Sequence, residues 1–559
     1  MFKKIIIYFF CFYSLNLFAQ APNNWFNLDP TQDKVDGVST EKAYKSLLKG
    51  KKSTTVVVAV IDSGVDYDHE DLKDVMWKNP KEIPGNKIDD DNNGYVDDVY
   101  GWNYIGGKDG RVINKETSEK TRLYAKYENY FKNKDTLKLS GKDKKDFAFY
   151  SKIKKEIDEE RASVKAQFDE LSFTKTFLTN SLDAVLKSLN GKLATKENIE
   201  AIKDEGDMNL NIGKQYLTKV IESGENIEHL DSFKIAVNQS IEEELSNLNE
   251  KLNNEMNPNS TVRKDIVGDD PNNSYERNYG NNNTKDLNGH GTHVAGIIAA
   301  SRNNSIGVSG VADNVRIMTV RCVPDGDERD KDVANSIIYA VDNGASVINM
   351  SFGKGYSWDK EAVDKAVKYA QDNDVLLVHA AGNSNENNDE SNNFPNDRKE
   401  KRGWFSAKNF KNWIEVGAIS WQGGEDLVAP FSNYGKGQVD LFSPGMDITS
   451  SVPNNKYASF DGTSMASPVV AGVAALIRSY YPELTAVQVK DIILKSINKK
   501  SQLVKKPGDG KLVSLSDISV TGGTINAYEA IKLASVTKGK RKAPIKAYVS
   551  PSNNNMKKV

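Results

Sequence analysis

The sequence predicts an α/β protein: a mainly parallel central sheet with helices on both faces, carrying an inserted helical hairpin or coiled-coil subdomain. Three observations lead there. Short runs rich in β-branched residues, Val56 to Ile61, Ile317 to Val320, Val347 to Met350 and Val375 to Val378, each run into a polar, glycine-containing loop. Strands that are apolar along their whole length are buried on both faces, as parallel strands are. Helical segments such as Asp332 to Asn343 and Lys360 to Asp372 separate these runs, and one block of different composition, Val112 to Val262, interrupts the alternation.

The chain has 559 residues, enough for three to four domains at about 150 residues each, so core size is not limiting. Lys and Arg number 75 against 77 Asp and Glu, a formal net charge of -2 that leaves no basic field to hold nucleic acid. The N-terminus begins Met1-Phe2-Lys3-Lys4, continues with an apolar run from Ile5 to Ala19, and ends that run in Leu17-Phe18-Ala19. A basic start, a short apolar stretch and a small residue before Gln20 predict a signal peptide over residues 1–19 and an exported protein, periplasmic or secreted. No later stretch reaches about 18 consecutive apolar residues, so no membrane span is expected after cleavage. Cys11 and Cys322 are the two cysteines. Removal of the first leaves a single thiol and no internal disulfide.

Residues 112–262 form the expected insertion. Within Gly141 to Glu170, eight basic residues face eight acidic ones, the mixed-charge surface of an exposed helix. Ile157, Val164, Leu171, Leu178 and Val185 recur every seven residues, with Phe168, Leu182 and Leu189 on a companion seam. Ile241, Leu245, Leu248 and Leu252 step by four, three and four. Both patterns predict helices packed on one another, either as a spacer or as an arm that gates substrates or docks a partner. At the other end, residues 538–559 are basic and aperiodic, and are expected to be disordered.

Sites in parallel sheets collect at the carboxyl ends of the strands. Asp62-Ser63-Gly64 follows the first strand and delivers a carboxylate into a turn. Asn288-Gly289-His290-Gly291-Thr292-His293 places a glycine-bracketed histidine at the head of a small-residue helix. Gly462-Thr463-Ser464-Met465-Ala466-Ser467-Pro468 opens another such helix with a serine. A serine hydroxyl is a weak nucleophile until an imidazole takes its proton, and the imidazole needs a carboxylate to fix its tautomer. A helix N-terminus adds unpaired N–H groups that favour a developing oxyanion. Pro468 is expected in the first turn or so of its helix, where a missing N–H costs least.

These segments, in the order Asp, His, Ser, resemble the subtilisin-like serine endopeptidases. Val347-Ile348-Asn349-Met350-Ser351-Phe352-Gly353 is similar to that family's substrate-binding strand, and Ala380-Ala381-Gly382-Asn383 to its oxyanion segment. The resemblance implies a subtilisin-like fold, Ser464 as nucleophile, His290 as general base and then acid, and Asp62 as its orienting partner. It further implies Asn383 as an oxyanion donor, and Ser351, Phe352 and Gly353 as the cleft edge that pairs with a protein or peptide substrate. No cofactor is expected for the catalysis. The domain reading is then 20–111 as N-terminal segment and first part of the catalytic domain, and 263–537 as its remainder. His290 lies 228 positions after Asp62, a surplus over ordinary family members that the insertion accounts for.

Two other readings are weighed against this one. A catalytically inactive subtilase-fold binding protein would use the helical insertion as its contact surface, but the triad types and Asn383 are all present. An esterase is disfavoured because no G-x-S-x-G surrounds Ser464. Of the remaining histidines, His293 is expected as a packing neighbour, His379 as a core residue and His69 as solvated.

Asp89-Asp90-Asp91-Asn92-Asn93-Gly94 carries a D-x-D-x-N-G pattern, with Asp97 and Asp98 close behind. Alternating oxygen side chains and a turn glycine suit a structural Ca²⁺, with Asp89, Asp91, Asn93 and Asp97 as candidate ligands. Tyr100 stands where an EF-hand has its bidentate Glu, so a solvated acidic turn stays open as the alternative.

Overall fold

A computed structural model describes residues 21–203, 206–225, 227–285, 288–400 and 408–541. The expected signal peptide and residues 542–559 of the expected disordered tail lie outside them. The described residues divide into two compact units, one within 120–260, the other within 21–119 and 261–541.

In the larger unit, alternate residues of the first strand, β1 (Val56–Asp62), enter two different cores. Val56, Val58 and Val60 join the core that holds Val294 to Ala299 and Val469 to Ile477. Ala59 and Ile61 join the one that holds Val333 to Val341 and Val363 to Ala370. A strand buried on both faces cannot alternate apolar with polar, which is why its sequence reads as a continuous apolar run. The further strands are β2 (Gly101–Asn103), β3 (Val315–Arg321), β4 (Val347–Met350), β5 (Leu376–Ala380), β6 (Trp413–Ile419) and β7 (Leu441–Pro444). They are followed by β8 (Ile448–Val452), β9 (Lys456–Phe460), β10 (Asn498–Lys499), β11 (Val504–Lys505), β12 (Leu512–Val513) and β13 (Gly523–Thr524). Nine of them form one sheet in the order β10-β13-β7-β6-β5-β4-β1-β3-β2. Its pairings are parallel except β10 with β13. The fold is therefore a mainly parallel sheet with helices on both faces.

The strand order sets where a site can form. From β1 the chain builds outward to β3 and β2 on one side and stepwise through β4 to β7 on the other, so the direction reverses at β1 and β4. Crevices open beyond the carboxyl ends of strands at such a switch point. Asp62 ends β1, and Ser351 follows β4 directly.

The smaller unit is built on α2 (Gly141–Leu189), a helix of 49 residues, preceded by α1 (Glu119–Phe131), whose first residue belongs to the larger unit. Two helices, α3 (Met208–Glu222) and α4 (Leu230–Glu250), pack along α2. The hairpin's second arm thus comes in two pieces. Ile157, Val164, Leu178, Leu182, Val185 and Leu189 are buried on α2, as are Ile241 and Leu248 on α4, while Phe168, Leu171, Leu245 and Leu252 are partly covered. Of the 112–262 expected for the insertion, this unit takes in 120–260. Ile113 is buried in a core of the larger unit, and Glu116 is bonded there to Arg329.

Candidate active site

Asp62 is 1% exposed at the end of β1. Its Oδ1 accepts the Ser63 backbone N–H at 2.8 Å and lies 2.7 Å from Nδ1 of His290. A carboxylate there makes Nδ1 the donor and leaves Nε2 as the basic nitrogen. His290 opens helix α5 (His290–Ala299), and its side chain is 38% exposed. The approach of α5 to the Asp62 turn depends on Gly291, where a Cβ would fall 2.0 Å from the Gly64 carbonyl oxygen. The neighbouring histidine is separate. His293 is buried, its Nε2 donates to the Ala458 carbonyl at 3.0 Å, and its ring stacks on Phe460.

Helix α8 (Thr463–Tyr480) packs on α5 and carries Ser464 in its first turn; between them in chain order stand α6 (Asp330–Asp342) and α7 (Lys360–Asp372). Pro468 is the sixth residue of α8, one turn deeper than expected. Its missing N–H would otherwise have bonded the Ser464 carbonyl. The Ser351 hydroxyl takes that place, donating to the Ser464 carbonyl at 2.9 Å, and also lies 2.8 Å from the Ser467 hydroxyl. In return the Ser464 hydroxyl donates to the Ser351 carbonyl at 3.1 Å.

Gly462, the residue before α8, has φ 154° and ψ 157°, a region essentially restricted to glycine. A side-chain carbon at that position would lie 3.4 Å from Nδ2 of Asn383 and 3.5 Å from the backbone N of Ser464. The glycine therefore leaves open a point within 3.5 Å of two donor nitrogens. Asn383 is held in the right sense for this, because its Oδ1 accepts both the backbone N–H and the hydroxyl of Thr463, each at 2.9 Å. That leaves the amide Nδ2 turned outward.

Beside Ser464 lies a cavity of about 350 Å³, whose walls include Phe352, Gly353, Lys354, Asn383 and Glu386. Ser351, expected at the cleft edge with Phe352 and Gly353, has its side chain buried, where it braces α8. The Phe352 carbonyl accepts Nε2 of His379 at 2.7 Å, and Nδ1 of that buried ring meets Glu415 at 3.0 Å. His69 is not solvated. It is fully buried, its Nε2 3.1 Å from the Lys456 carbonyl and its Nδ1 accepting the Asp71 N–H, so it ties its loop to β9.

The acidic loop brings two of the expected ligands, Asp89 and Asp91, together with Glu82. Both Asp97 oxygens accept backbone N–H groups, of Gly85 at 2.9 Å and Lys87 at 2.7 Å. The Asn93 oxygen accepts the Tyr95 N–H, and its amide donates to Asp98. The carboxylates that converge are Glu82, Asp89 and Asp91, whose oxygens lie within 4.8 Å of one another. Glu82 is 7% exposed, and its Oε2 has no partner among the described residues. Burial raises its pKa. A hard cation suits such a group of oxygens. Glu82 was invisible to a motif read along contiguous residues, because a turn brings it in from outside the loop.

A family model described as "Subtilase family" matches residues 53–512. The "Thermophilic serine proteinase" of Bacillus sp. (strain AK1) is 43% identical over 195 residues, 35% of this chain and 43% of that protein. "Alkaline elastase YaB" of Bacillus sp. (strain YaB) is 40% identical over 213 residues, 38% of this chain and 50% of that one. The match thus spans about half the length of these two relatives or less. "Subtilisin DY" of Bacillus licheniformis is 40% identical over 209 residues, 37% of this chain and 69% of its own. Among solved structures, a protease of Pseudoalteromonas arctica PAMC 21717 aligns with a TM-score of 0.36 at 30% identity, covering 44% of this chain and 70% of that one. No described helix is long and apolar enough to cross a membrane.

Proposed function

The chain belongs to the subtilase family, and on that premise we propose that it is an exported serine endopeptidase, periplasmic or secreted, that hydrolyses protein or peptide substrates through an acyl-enzyme. The observation that carries this reading is the 2.7 Å contact between His290 Nδ1 and Asp62 Oδ1, made across 228 positions of sequence. Ser464 is the nucleophile. Its hydroxyl leaves the Ser351 carbonyl, gives its proton to Nε2 of His290 and attacks the substrate carbonyl carbon. The oxygen of the resulting tetrahedral adduct accepts from Asn383 Nδ2 and the Ser464 N–H, which stabilise the charge as it develops. The adduct collapses, His290 returns the proton to the leaving amine, and a water deacylates Ser464 by the same path in reverse. Asp62, buried and negative, holds the imidazole in one tautomer and stabilises the cation it becomes.

The N-terminal pattern of residues 1–19 supports export. For the acidic loop, the carboxylates of Glu82, Asp89 and Asp91 would hold a structural Ca²⁺, whose charge offsets their mutual repulsion and which takes no part in the bond cleavage. The complete set of Asp62, His290, Ser464 and Asn383 argues against an inactive binding protein. Turnover of casein, set beside turnover of a short-chain ester, tests the proposal. Casein hydrolysis that is lost in Ser464→Ala is expected. Ester turnover without peptide cleavage, or casein cleavage retained in that variant, rejects it.

A further inference from the structure

Immediately beyond the cleft edge stands a charged residue that the reaction does not use. Lys354 lines the cavity beside Ser464, yet it is only 5% exposed. Its Nζ donates to Oε1 of Glu119 at 3.0 Å and to the Glu328 carbonyl at 2.6 Å, and lies 2.8 Å from Oδ1 of Asp330. An ammonium has three protons, and each has an acceptor. The acceptors are themselves fixed. Glu119 Oε1 also takes the Trp358 N–H at 2.9 Å, and Asp330 Oδ2 takes the Asp359 N–H at 2.7 Å. The Lys354 main chain exchanges two hydrogen bonds with Phe394, at 2.9 and 2.8 Å.

One partner of Lys354, Glu119, stands where the chain leaves the larger unit. Glu119 is the last residue of the larger unit before the chain leaves it, and Thr261 is the first on return. The outgoing end is bonded to the loop before α6, through Glu116 with Arg329 at 2.9 Å and the Glu119 N–H with Asp327 at 2.8 Å. The returning end is bonded to the first turn of α6. Arg263 donates to both oxygens of Asp332 at 2.7 and 2.8 Å, and Lys331 to Asp269 at 2.6 Å. Asp330, the residue before that pair, holds Lys354. Replacing buried ion pairs by apolar groups is often neutral or stabilising, so stability alone does not account for this cluster.

We propose that Lys354 is a positioning residue for peptide binding, its buried ammonium fixing the Phe352-Gly353 edge to Glu119 and Asp330. The inference rests on reading that edge as the one that pairs with substrate. It assigns Lys354 no contact with the reacting atoms. Its loss acts on the binding of an extended peptide and leaves the reactivity of Ser464 alone.

The test uses the full chain and three variants, Lys354→Met, Glu119→Gln and the two combined. KM and kcat are measured on a peptide long enough to pair along the edge, together with the rate of Ser464 labelling by a small fluorophosphonate. Lys354→Met is expected to raise KM about tenfold, with kcat and labelling within about threefold of wild type, the pattern of lost binding without lost chemistry. Glu119→Gln moves KM in the same direction by less, and the double variant is no worse than Lys354→Met, because the two residues act through one contact. If Lys354→Met does not fold, Glu119→Gln carries the test, since its amide oxygen can still accept from Lys354 and Trp358. An unchanged KM in a folded variant, or labelling that falls in step with peptide turnover, overturns the inference. A wild-type chain that neither labels nor cleaves removes the protease reading and this inference with it, a result distinguishable from the other two.

Discussion

The Ser351 hydroxyl donates to the Ser464 carbonyl at 2.9 Å, in the place left by the N–H that Pro468 lacks. One proline thus couples the strand edge of the cleft to the helix that presents the serine. Ser351→Ala leaves that carbonyl without this partner in a partly buried site, which costs about 1 kcal/mol. Adding Pro468→Ala supplies an N–H from within the helix and is expected to recover part of the lost stability. Thermal melts of the two single variants and the double variant check this. Strictly additive effects would mean that the two positions do not share the carbonyl.

Asn383→Ala removes one of the two donor nitrogens within 3.5 Å of the open point at Gly462. The expected loss in kcat is about a hundred- to a thousandfold, with KM little changed, since the donor matters once charge develops on oxygen. Steady-state kinetics on a peptide substrate measures the split. A rise in KM at constant kcat would place Asn383 in ground-state binding instead.

His293 predicts an acid-sensitive stability. Burial holds its pKa down to about 4, while an unfolded histidine titrates near 6.5. Between those values the unfolded chain takes up a proton that the folded one refuses. Stability from this group is therefore complete above about pH 6.5 and falls as the pH drops toward 4, by about 3 kcal/mol in all. In His293→Gln the acid-induced fall in Tm across that window is expected to shrink. Identical slopes for the variant and the wild type would contradict the assignment.

The acidic loop separates two ligand sets. Adding Ca²⁺ is expected to raise Tm, and Glu82→Gln to abolish the rise by removing the buried oxygen that has no other partner. Asp97→Asn, which disturbs only the carboxylate serving Gly85 and Lys87, lowers Tm yet keeps the response. A response that survives in Glu82→Gln and disappears in Asp97→Asn would restore the set expected from the motif.

What the sequence made legible is what is local. The strand before Asp62, the glycine-bracketed head of the helix at His290 and the small-residue helix at Ser464 each sit in a short window with a period or a turn signature. The seven-residue repeat from Ile157 to Val185 likewise marks a helical face whatever it packs against. What stayed hidden depends on long-range placement. Glu82 enters the acidic cluster over a turn, Lys354 finds Glu119 from 235 positions away, and His69 reads as a loop residue until β9 covers it. The direction of the Ser351 side chain is likewise set from a distance. Only the position of Pro468 in the second turn of its helix explains why the serine turns inward.

The central claim is that Ser464 is a nucleophile made reactive by His290 held on Asp62. Its most direct test is to label the full chain with a fluorophosphonate, digest it and identify the modified residue by mass spectrometry in the wild type and in His290→Ala. The account predicts one modification, on Ser464, with a labelling rate at least about a thousandfold lower in the variant. Modification at another residue, or a rate unaffected by loss of the imidazole, would contradict it.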